Sequence, residues 1–396
     1  MKILQLCHKP PIPMVDGGCI AIHTISQGLI DEGVSLKIIT ASTEKHPFLP
    51  NKIPQDFKDK TQIEGVFLDT RVNIVDAFSA LVTADTYNVS RFFSTDFDRI
   101  LVEQLTNNDF DVVHLESLFM TPYVDTIRKL SKAKVVLRSH NLEHLIWERL
   151  ANTTGNKAKK MYLKHLAAKL KKYEKKTIND VDGIASISFE DTERFKKFDC
   201  KSPLISIPFG VNLKEYDFHI REDEKLNKFY HIGAMNWEPN KEAVSWMLDE
   251  IWPMVNKEDL SLHLAGRSMP GYLSENKSDN LFIDGEVESA KQYMHDHDIM
   301  VVPLLSGSGI RIKIIEAMAY GKAVISTSVG AEGINYEHQK NIIIADSAQE
   351  IAEWMTKLAN DPALVRALGT NARKLIEGNY DNHKIIQNLI KFYQTI

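Results

Sequence analysis

The chain has 396 residues, which predicts two or three domains, and its apolar fraction of 43% is enough for sizeable cores. A formal net charge of −5 argues against bulk nucleic-acid binding, although it is compatible with a local basic patch. The three cysteines lack metal or redox spacing and indicate reduced thiols. No apolar run reaches the length of a membrane span, and the N-terminus turns polar too early for a signal peptide, so we expect a cytoplasmic protein.

Short apolar runs alternate with longer helical patterns along the chain. The runs are rich in Val and Ile without polar alternation, which is typical of parallel strands covered on both faces. The predicted strands are, in chain order, KILQLC (2–7), LKIIT (36–40), DVVHLE (111–116), KVVLRSH (134–140), GIASIS (183–188), LISIP (204–208), KFYHIGAM (228–235), LSLHLAG (260–266), LFIDG (281–285), IMVVPLL (299–305) and AVISTS (323–328). The predicted helices include 20–33, 98–107, 122–131, 241–256, 310–320 and a terminal amphipathic stretch at 379–396.

This alternation of strand and helix predicts an α/β fold. The strands are too many for one typical sheet, so we expect two Rossmann-like domains that join near residues 206–218. Ligands of such sheets bind beyond the carboxyl ends of the strands. Two facing sheets would therefore place the ligand in a cleft between the domains.

A glycine-serine loop follows the predicted strand 299–305 and runs into a helix as SGSGIRIKIIE, residues 306–316. Its backbone N–H groups and the helix start favour a bound phosphate, and Arg311 and Lys313 add positive charge. Lys313 and Glu316 share one helix face, where a lysine can neutralise a diphosphate and a carboxylate can accept two ribose hydroxyls. A plain turn with a surface ion pair remains the alternative. The spacing fits neither the Walker A motif nor the G-x-G-x-x-G fingerprint.

The longer stretch GSGIRIKIIEAMAYGKAVISTSVGAEGI, residues 307–334, resembles the donor-binding signature of family 4 glycosyltransferases. Weaker segments agree with it in order along the chain: DGGCIAIHTISQGLIDEGVSLKIIT, VVHLES, VLRSHNLEH, SIPFGVN, HIGAMNWEPNKEAVSWMLDEIWP and FIDGEV. The resemblance implies the GT-B fold, in which two Rossmann-like domains with parallel sheets face a central cleft. It assigns 1–208 to an acceptor-side domain, 209–378 to a donor-side domain, and 379–396 to a helix that crosses back to the first domain.

The same resemblance implies a nucleotide-diphosphate sugar as co-substrate, retention of anomeric configuration, and neither a metal nor another cofactor. It assigns Glu316 to the donor ribose, Lys313 with nearby Arg311 to the diphosphate, and His140 to the neighbourhood of the transferred sugar. The other residues that it assigns to donor binding are Gly17 and Gly18 in the N-terminal glycine loop, Gly233 in HIGAM, Gly307, Ser308, Gly309 and Ile310 in the glycine-serine loop, and Glu286 and Val287 in the segment whose backbone reads the base.

Two departures from the family pattern concern the donor site. Many members have two glutamates eight positions apart, and here Ser308 stands eight positions before Glu316. The identity of the donor sugar is therefore open. Many members also carry an Arg and a Lys after the first C-terminal strand, whereas GAMNWEPNKEA has no Arg and places Lys241 off pattern. We therefore expect Arg311 and Lys313 to supply most of the charge that faces the diphosphate.

Three further features have competing interpretations. His140 and His144 are four residues apart but have no evident third ligand, and His144 is interpreted as a surface histidine. The Asp-x-Asp pairs Asp96/Asp98, Asp109/Asp111 and Asp296/Asp298 are interpreted as solvated turn and helix-end residues, so no metal site is predicted. The stretch 157–176 has nine lysines and one glutamate beside an apolar stripe that includes Met161. It is either a helix packed on its domain with lysines in water or a docking surface for an anionic membrane.

The sequence thus predicts a glycosyltransferase that acts on a saccharide or lipid-linked saccharide acceptor, in cell-envelope polysaccharide synthesis, with contact at the inner face of the membrane through 157–176. Two alternatives keep the fold. One is a non-catalytic nucleotide-sugar binding protein, motivated by Ser308. The other is a sugar-nucleotide epimerase, for which no convincing acid/base set is evident. A nicotinamide oxidoreductase is the least favoured alternative, because the sequence lacks the G-x-G-x-x-G dinucleotide-binding fingerprint.

Overall fold

A computed structural model describes the chain at residues 1–71, 87–219, 225–256, 258, 260–274, 280–307 and 309–396. Ser308 therefore lies outside the described residues. The chain divides into two compact units: Met1–Phe209 together with His383–Ile396, and Gly210–Asn382. The sequence-based boundaries at 208 and 378 lie beside these divisions. Each unit is described below by itself.

The first unit is built on a seven-stranded sheet in the order β3-β2-β1-β4-β5-β6-β7, and every pairing in it is parallel. The strands are β1 Lys2–Cys7, β2 Ser35–Ser42, β3 Glu64–Phe67, β4 Val112–Glu116, β5 Lys134–Ser139, β6 Gly183–Ser186 and β7 Leu204–Ser206. Its helices are Gly17–Asp31, Gln55–Thr61, Tyr87–Ser90, Thr95–Asn107, Val124–Leu130, Glu143–Thr153, Lys157–Thr177, Phe189–Lys197 and, at the end of the chain, Asn382–Thr395.

The second unit repeats the same topology with a six-stranded parallel sheet in the order β10-β9-β8-β11-β12-β13. The strands are β8 Lys228–Ile232, β9 Ser261–Ala265, β10 Leu281–Gly285, β11 Ile299–Val302, β12 Ala323–Ser326 and β13 Ile343–Ile344. Its helices are Glu238–Trp246, Gly271–Ser274, Ala290–Asp296, Ile312–Ala319, Ala348–Ala359 and Pro362–Asn379. The predicted α/β class is confirmed.

Both sheets reverse their strand order at one point, between β1 and β4 in the first and between β8 and β11 in the second. At such a point the loops that leave two neighbouring strands diverge to opposite faces and open a crevice beyond the carboxyl ends. The residues that follow β1, β4, β8 and β11 are therefore the ones that the fold places beside a ligand.

All eleven predicted strands are present, and two short edge strands were missed. Strand β3 buries only Val66 among its residues, and β13 has just two residues, so neither gives a strong apolar run. The predicted helix 241–256 is wrong in its extent. The α-helix Glu238–Trp246 passes into a π-turn at Met247–Ile251, and Pro253, which has no N–H to continue the ladder, lies in the 3₁₀ turn that ends the segment.

The terminal helix Asn382–Thr395 belongs to the core of the first unit. Its buried side chains Ile386, Leu389 and Tyr393 share one apolar cluster with strand residues such as Ile3 and Val136. Parallel strands need helices on both faces, and this helix covers part of one of them. Within the described residues, no helix combines the length and apolar character that crossing a bilayer requires.

A glycine pair in the helix Pro362–Asn379 gives a direct test of its packing. A Cβ added at Gly369 would lie 1.9 Å from the carbonyl oxygen of Gly321, whereas a Cβ at Gly378 would meet no atom within 4 Å. Gly369→Ala should lower the free energy of unfolding by about 1–3 kcal/mol through the clash. Gly378→Ala, the matched control, should leave it unchanged or raise it by up to about 1 kcal/mol, because alanine favours a helix. Urea unfolding measures both, and equal effects would contradict the close approach.

Candidate active site

Lys313 is the central charged residue at the crevice of the second sheet. It lies in the first turn of the helix Ile312–Ala319, and its Nζ donates to the carbonyl oxygen of Ile232 at 2.9 Å and to Oδ1 of Asn240 at 3.2 Å. The same Nζ lies 3.4 Å from Nε2 of His231. Burial, with a smaller contribution from Arg311, lowers the pKa of Lys313 to about 7.

His231 is a neutral neighbour for this lysine. It is fully buried in β8, and its Nδ1 lies 2.8 Å from the carbonyl oxygen of Val301. A carbonyl can only accept, so Nδ1 carries the proton and Nε2 turns its lone pair toward Lys313. Burial and the nearby Lys313 charge hold the pKa of His231 well below its usual range. The three partners of Lys313 are thus a carbonyl, an amide and a neutral imidazole.

Glu316 lies on the same helix, three residues after Lys313. Its Oε1 accepts a hydrogen bond of 2.8 Å from the hydroxyl of Tyr216, whose ring packs against Tyr320 at 5.0 Å between ring centroids. Burial raises the pKa of Glu316 even though the Tyr216 bond opposes this shift. A carboxylate has about four acceptor positions, so one tyrosine leaves capacity for further donors such as ribose hydroxyls.

Arg311 braces the glycine-serine loop. It is buried, its guanidinium lies 5.3 Å from the ring centre of Trp237, and Nη1 donates to the carbonyl oxygen of Gly309 at 2.5 Å. A Cβ at Gly307 would come within 2.7 Å of Nη2 of Arg311, and the φ of Gly307 is +121°. Both the close contact and the backbone conformation therefore disfavour any residue other than glycine at this position. The structure thus gives Arg311 a contact with the loop backbone, and its predicted role in binding the diphosphate stays a prediction.

The remaining donor-side residues surround these groups. Gly233 follows β8, and a Cβ there would lie 2.6 Å from Nδ2 of Asn240, which explains why a glycine lets Asn240 reach Lys313. A Cβ added at Gly333 would lie 2.8 Å from Cγ1 of Ile310, so the Ile310 side chain packs directly against this glycine. Glu286 and Val287 come directly after β10, with Glu286 exposed and Val287 half-buried.

In the first unit, Glu116 at the end of β4 gathers the groups beside the crevice. It is fully buried and binds His140, whose Nε2 lies 2.7 Å from Oε2. Its other partners are Gln5 Nε2 at 2.8 Å, His114 Nε2 at 3.1 Å and Arg138 Nη1 at 3.2 Å. Although burial opposes it, Arg138 and His114 hold the pKa of Glu116 well below its usual range. Burial lowers the pKa of His140, with the Glu116 contact opposing the shift.

Gly17 and Gly18 open the helix Gly17–Asp31. The capping residue Asp16 accepts from the backbone N of Cys19 at 2.9 Å and pairs with Nζ of Lys9 at 2.8 Å. A Cβ at Gly18 would lie 2.4 Å from Nζ of Lys9, so the glycine makes room for this lysine. Lys9 therefore lies beside the predicted glycine loop, with its charge paired with Asp16.

Two family models match the chain. The model described as Glycosyltransferase Family 4 matches residues 15–215, and the model described as Glycosyl transferases group 1 matches residues 227–361. The chain belongs to glycosyltransferase family 4. Among curated relatives, an uncharacterized 44.6 kDa protein in the cps region of Klebsiella pneumoniae is 27% identical over 300 residues, which are 72% of this chain and 74% of that one. An uncharacterized glycosyltransferase of Methanocaldococcus jannaschii is 22% identical over 345 residues, covering 81% and 83%.

Solved structures place the glycosyltransferase in the GT-B fold. The sucrose-phosphate synthase of Thermosynechococcus elongatus is similar at a TM-score of 0.68 and 17% identity, with 100% of this chain and 98% of that one covered. HepE of Anabaena in complex with UDP and glucose is similar at 0.64 and 13% identity, with 100% of both covered. These likenesses concern the fold, and the predicted GT-B architecture is confirmed.

The other histidine and aspartate motifs have structural partners. His144 is buried and pairs with Glu174, so its interpretation as a surface histidine is wrong. Asp298 is also buried, rather than solvated as the Asp-x-Asp reading expects, and accepts from the backbone N of Lys228 at 3.0 Å. Among the described residues, two groups have atoms close enough to hold a metal ion: Asp16, Cys19 and His46, and His263, Asp284 and His297.

A cavity of about 560 Å³ lies elsewhere in the glycosyltransferase, lined by residues that include Lys228, Asp298 and Lys322. These residues stand at the amino ends of β8, β11 and β12. Nucleotides in doubly wound sheets bind at the carboxyl ends, so this cavity is at the wrong edge for the donor.

Several residues at the two crevices were missed by the sequence reasoning. They are Tyr216, His231 and Asn240 in the second unit and Lys9 and Glu116 in the first. His231 and Asn240 lie in the HIGAMNWEPN segment, and Glu116 ends the strand VVHLE, so their positions just at or after strands β8 and β4 were a usable signal. Tyr216 is a hundred residues from Glu316 and only folding brings them together.

The lowered pKa of Lys313 makes a prediction about stability. The folded chain releases this proton near pH 7 and an unfolded lysine near pH 10.4, so the unfolded state binds more protons between these values. Stability attributable to Lys313 therefore rises with pH across this window. Lys313→Met should raise the free energy of unfolding most at and below pH 7, by about 1.4 kcal/mol for each pH unit that separates the folded and unfolded pKa of the lysine. This increase should shrink as the pH approaches 10.

Urea unfolding of the two proteins at several pH values measures this difference, with Lys374→Met, at an exposed position of the same unit, as the control. If Lys313 faces the diphosphate, as the resemblance implies, turnover of Lys313→Met should fall by roughly 10²-fold or more, because a fixed charge at the leaving group would be lost. A variant that is less stable than the parent at pH 7, or that retains full turnover, would contradict the assignment.

Proposed function

We propose that this glycosyltransferase moves a sugar from a nucleotide-diphosphate sugar to a saccharide or lipid-linked saccharide acceptor, with retention of configuration and without a metal ion or other cofactor. One observation carries the donor assignment. Lys313 is a half-buried lysine whose three hydrogen-bond partners among the described residues are all neutral. A cation withdrawn from water without a counter-charge is costly, and the lowered pKa of Lys313 reflects that cost. A diphosphate would supply the missing negative charge.

The neighbouring groups fit the rest of a donor. The backbone N–H groups of the loop and the start of the helix Ile312–Ala319 would hold phosphate oxygens, with Arg311 keeping the loop in place. Glu316 would accept the ribose hydroxyls, and the segment Glu286–Val287 would read the base through its backbone. His140 and the loop at Gly17 and Gly18 would complete the sugar site.

The chemistry would be stabilisation of the leaving group by charge that is already in place. As the bond between the anomeric carbon and the diphosphate oxygen breaks, negative charge grows on the diphosphate, where Lys313 can pair with it. Binding of the anion would also raise the pKa of Lys313 and keep it protonated at neutral pH. This arrangement supplies positive charge from side chains, which is the support for metal-independent transfer.

The setting of the reaction is proposed from the relatives. One of them is described as lying in a cps region, which supports a pathway of cell-envelope polysaccharide synthesis. HepE, which has the same fold, is described in complex with UDP and glucose, and this favours UDP-sugars as the first donors to test. The site residues leave the sugar open, since Ser308 stands where many members have a glutamate.

The helix Lys157–Thr177 supports a contact with the inner face of an anionic membrane. Leu163, Ala167 and Leu170 are buried, as a packed stripe requires. Met161, which the sequence placed on that stripe, is instead 74% exposed, and Tyr162 beside it is 38% exposed. An exposed methionine and tyrosine among lysines can insert at the lipid headgroups while each lysine contributes about 1 kcal/mol near the surface.

The alternatives differ from transfer in what they do with a bound donor. A non-catalytic nucleotide-sugar binding protein would bind the donor with neither transfer nor slow hydrolysis. An epimerase would convert one donor into another without an acceptor. Mass spectrometry of the donor after prolonged incubation distinguishes both from a glycosyltransferase.

The donor assignment is tested by thermal shift in EDTA with UDP-, GDP-, ADP- and dTDP-sugars. A donor at about 100 times its Kd should stabilise the fold by roughly 2.7 kcal/mol. Glu316→Gln should abolish most of this shift, because an amide replaces two anionic acceptors of the ribose hydroxyls. Glu353→Gln, at an exposed position of the same unit, is the control. The absence of a shift with every donor would overturn the assignment.

The membrane contact is tested by flotation with vesicles of mixed phosphatidylcholine and phosphatidylglycerol. Reversing Lys157, Lys159 and Lys164 to glutamate should reduce binding by more than tenfold at low salt, since three attractive charges become repulsive.

The control reverses three other exposed lysines, Lys129, Lys197 and Lys374, and changes the net charge equally. It should retain most of the binding. Equal losses in both triple variants would show that net charge alone attracts the protein, and unaltered binding in the helix variant would contradict the docking surface.

A further inference from the structure

The buried carboxylate Glu116 links the end of the chain to His140. Glu116 is fully buried and is approached by Gln5 and His114 at Oε1 and by Arg138 and His140 at Oε2. A buried carboxylate with this many donors is fixed in position, because any rotation would leave donors and acceptor unpaired.

The partners of His114 determine its tautomer. Its Nε2 lies 3.1 Å from the Glu116 carboxylate, which can only accept, so Nε2 carries the proton. Its Nδ1 contacts the hydroxyl of Tyr393 in the terminal helix. Burial holds the pKa of Tyr393 well above its usual range, so the phenol keeps its proton and donates it to Nδ1. The tyrosine thereby selects the histidine form that can donate to Glu116.

The same carboxylate determines the tautomer of His140. Nε2 of His140 lies 2.7 Å from Oε2 of Glu116 and 3.4 Å from Nη1 of Arg138. The carboxylate is the nearer partner and can only accept, so we place the ring proton on Nε2, pointing at the carboxylate. Nδ1 then carries the lone pair. A neutral His140 in this form presents a hydrogen-bond acceptor, and its ring is further packed edge-on against His8 at 5.5 Å between centroids.

We propose that Tyr393 is a positioning residue for transfer: through His114 and Glu116, it fixes His140 in the form whose Nδ1 can accept a hydrogen bond from a sugar hydroxyl. This inference rests on the proposed function, because His140 matters to the reaction only if the sugar site is where we place it. The proposal gives the terminal helix a second role beside its packing, since this helix carries Tyr393, the first donor in a series of hydrogen bonds that ends at His140. A purely structural role would predict that the Tyr393 hydroxyl affects stability alone.

Tyr393→Phe tests the inference because it keeps the buried ring and removes only the hydroxyl. Two-bond ¹⁵N–¹H correlation spectra of the full-length protein report the tautomers of His114 and His140. In the variant, His114 should gain the form protonated on Nδ1 and stop donating to Glu116. His140 should then lose its single Nε2–H form, because a carboxylate with one donor fewer can rotate Oε2 away from His140. The turnover number for the donor identified by thermal shift should fall by about 5- to 20-fold, while the donor KM changes by less than twofold.

Tyr380→Phe is the matched control. It also removes a buried tyrosine hydroxyl, one that accepts from the backbone N of Asn335 at 2.8 Å in the second unit. It should leave both histidine tautomers and the turnover number unchanged. A fall in turnover that is equal in the two variants would assign the effect to general destabilisation and overturn the inference.

The tautomer spectra and the turnover numbers can each contradict the inference independently. Unchanged tautomers in Tyr393→Phe overturn the positioning role whatever the activity is. Shifted tautomers with an unchanged turnover number also overturn it, because His140 would then not need to be held. The donor panel and the unmodified protein test the proposed function by themselves. A protein that transfers no sugar would refute that function, whereas the tautomer spectra would still test the hydrogen bonds that lead from Tyr393 to His140.

Discussion

A charge withdrawn from water needs compensation, and at the crevice of each unit one such charge organises its neighbours. In the first unit it is the fully buried carboxylate of Glu116, and in the second it is the ammonium of the half-buried Lys313. Both lie at the crevice where the order of a parallel sheet reverses. The two are treated differently by their surroundings.

Glu116 is compensated within the protein. Side chains from three strands and, through His114, from the terminal helix complete its hydrogen bonds. Such a network is rigid, because each member loses a partner if any other moves. Its effect reaches the surface of the crevice only through His140, the one member that is also partly exposed. Rigidity of this kind fixes the orientation of the His140 ring.

Among the described residues, the hydrogen-bond partners of Lys313 are all dipoles. A carbonyl, an amide and a neutral imidazole orient its ammonium group, but none of them carries a negative charge. The folded protein therefore tolerates an unfavourable group whose cost an anionic ligand would remove. Arg311, by contrast, is packed on Trp237 and bonded to the loop backbone, so two cations that look alike in the sequence have different surroundings in the structure.

Local patterns in the sequence predicted the α/β class, the eleven main strands and the glycine-serine loop before a helix, because buried parallel strands and such loops have recognisable compositions. They could not locate the edge strands, which bury too little to be apolar, or the end of the helix at Trp246, where the ladder changes to a π-turn. Which polar groups meet becomes evident only in the folded chain. Tyr216 reaches Glu316 and Tyr393 reaches His114 across 100 and 279 residues, and such pairings follow from the order of strands in a sheet, which no local pattern encodes.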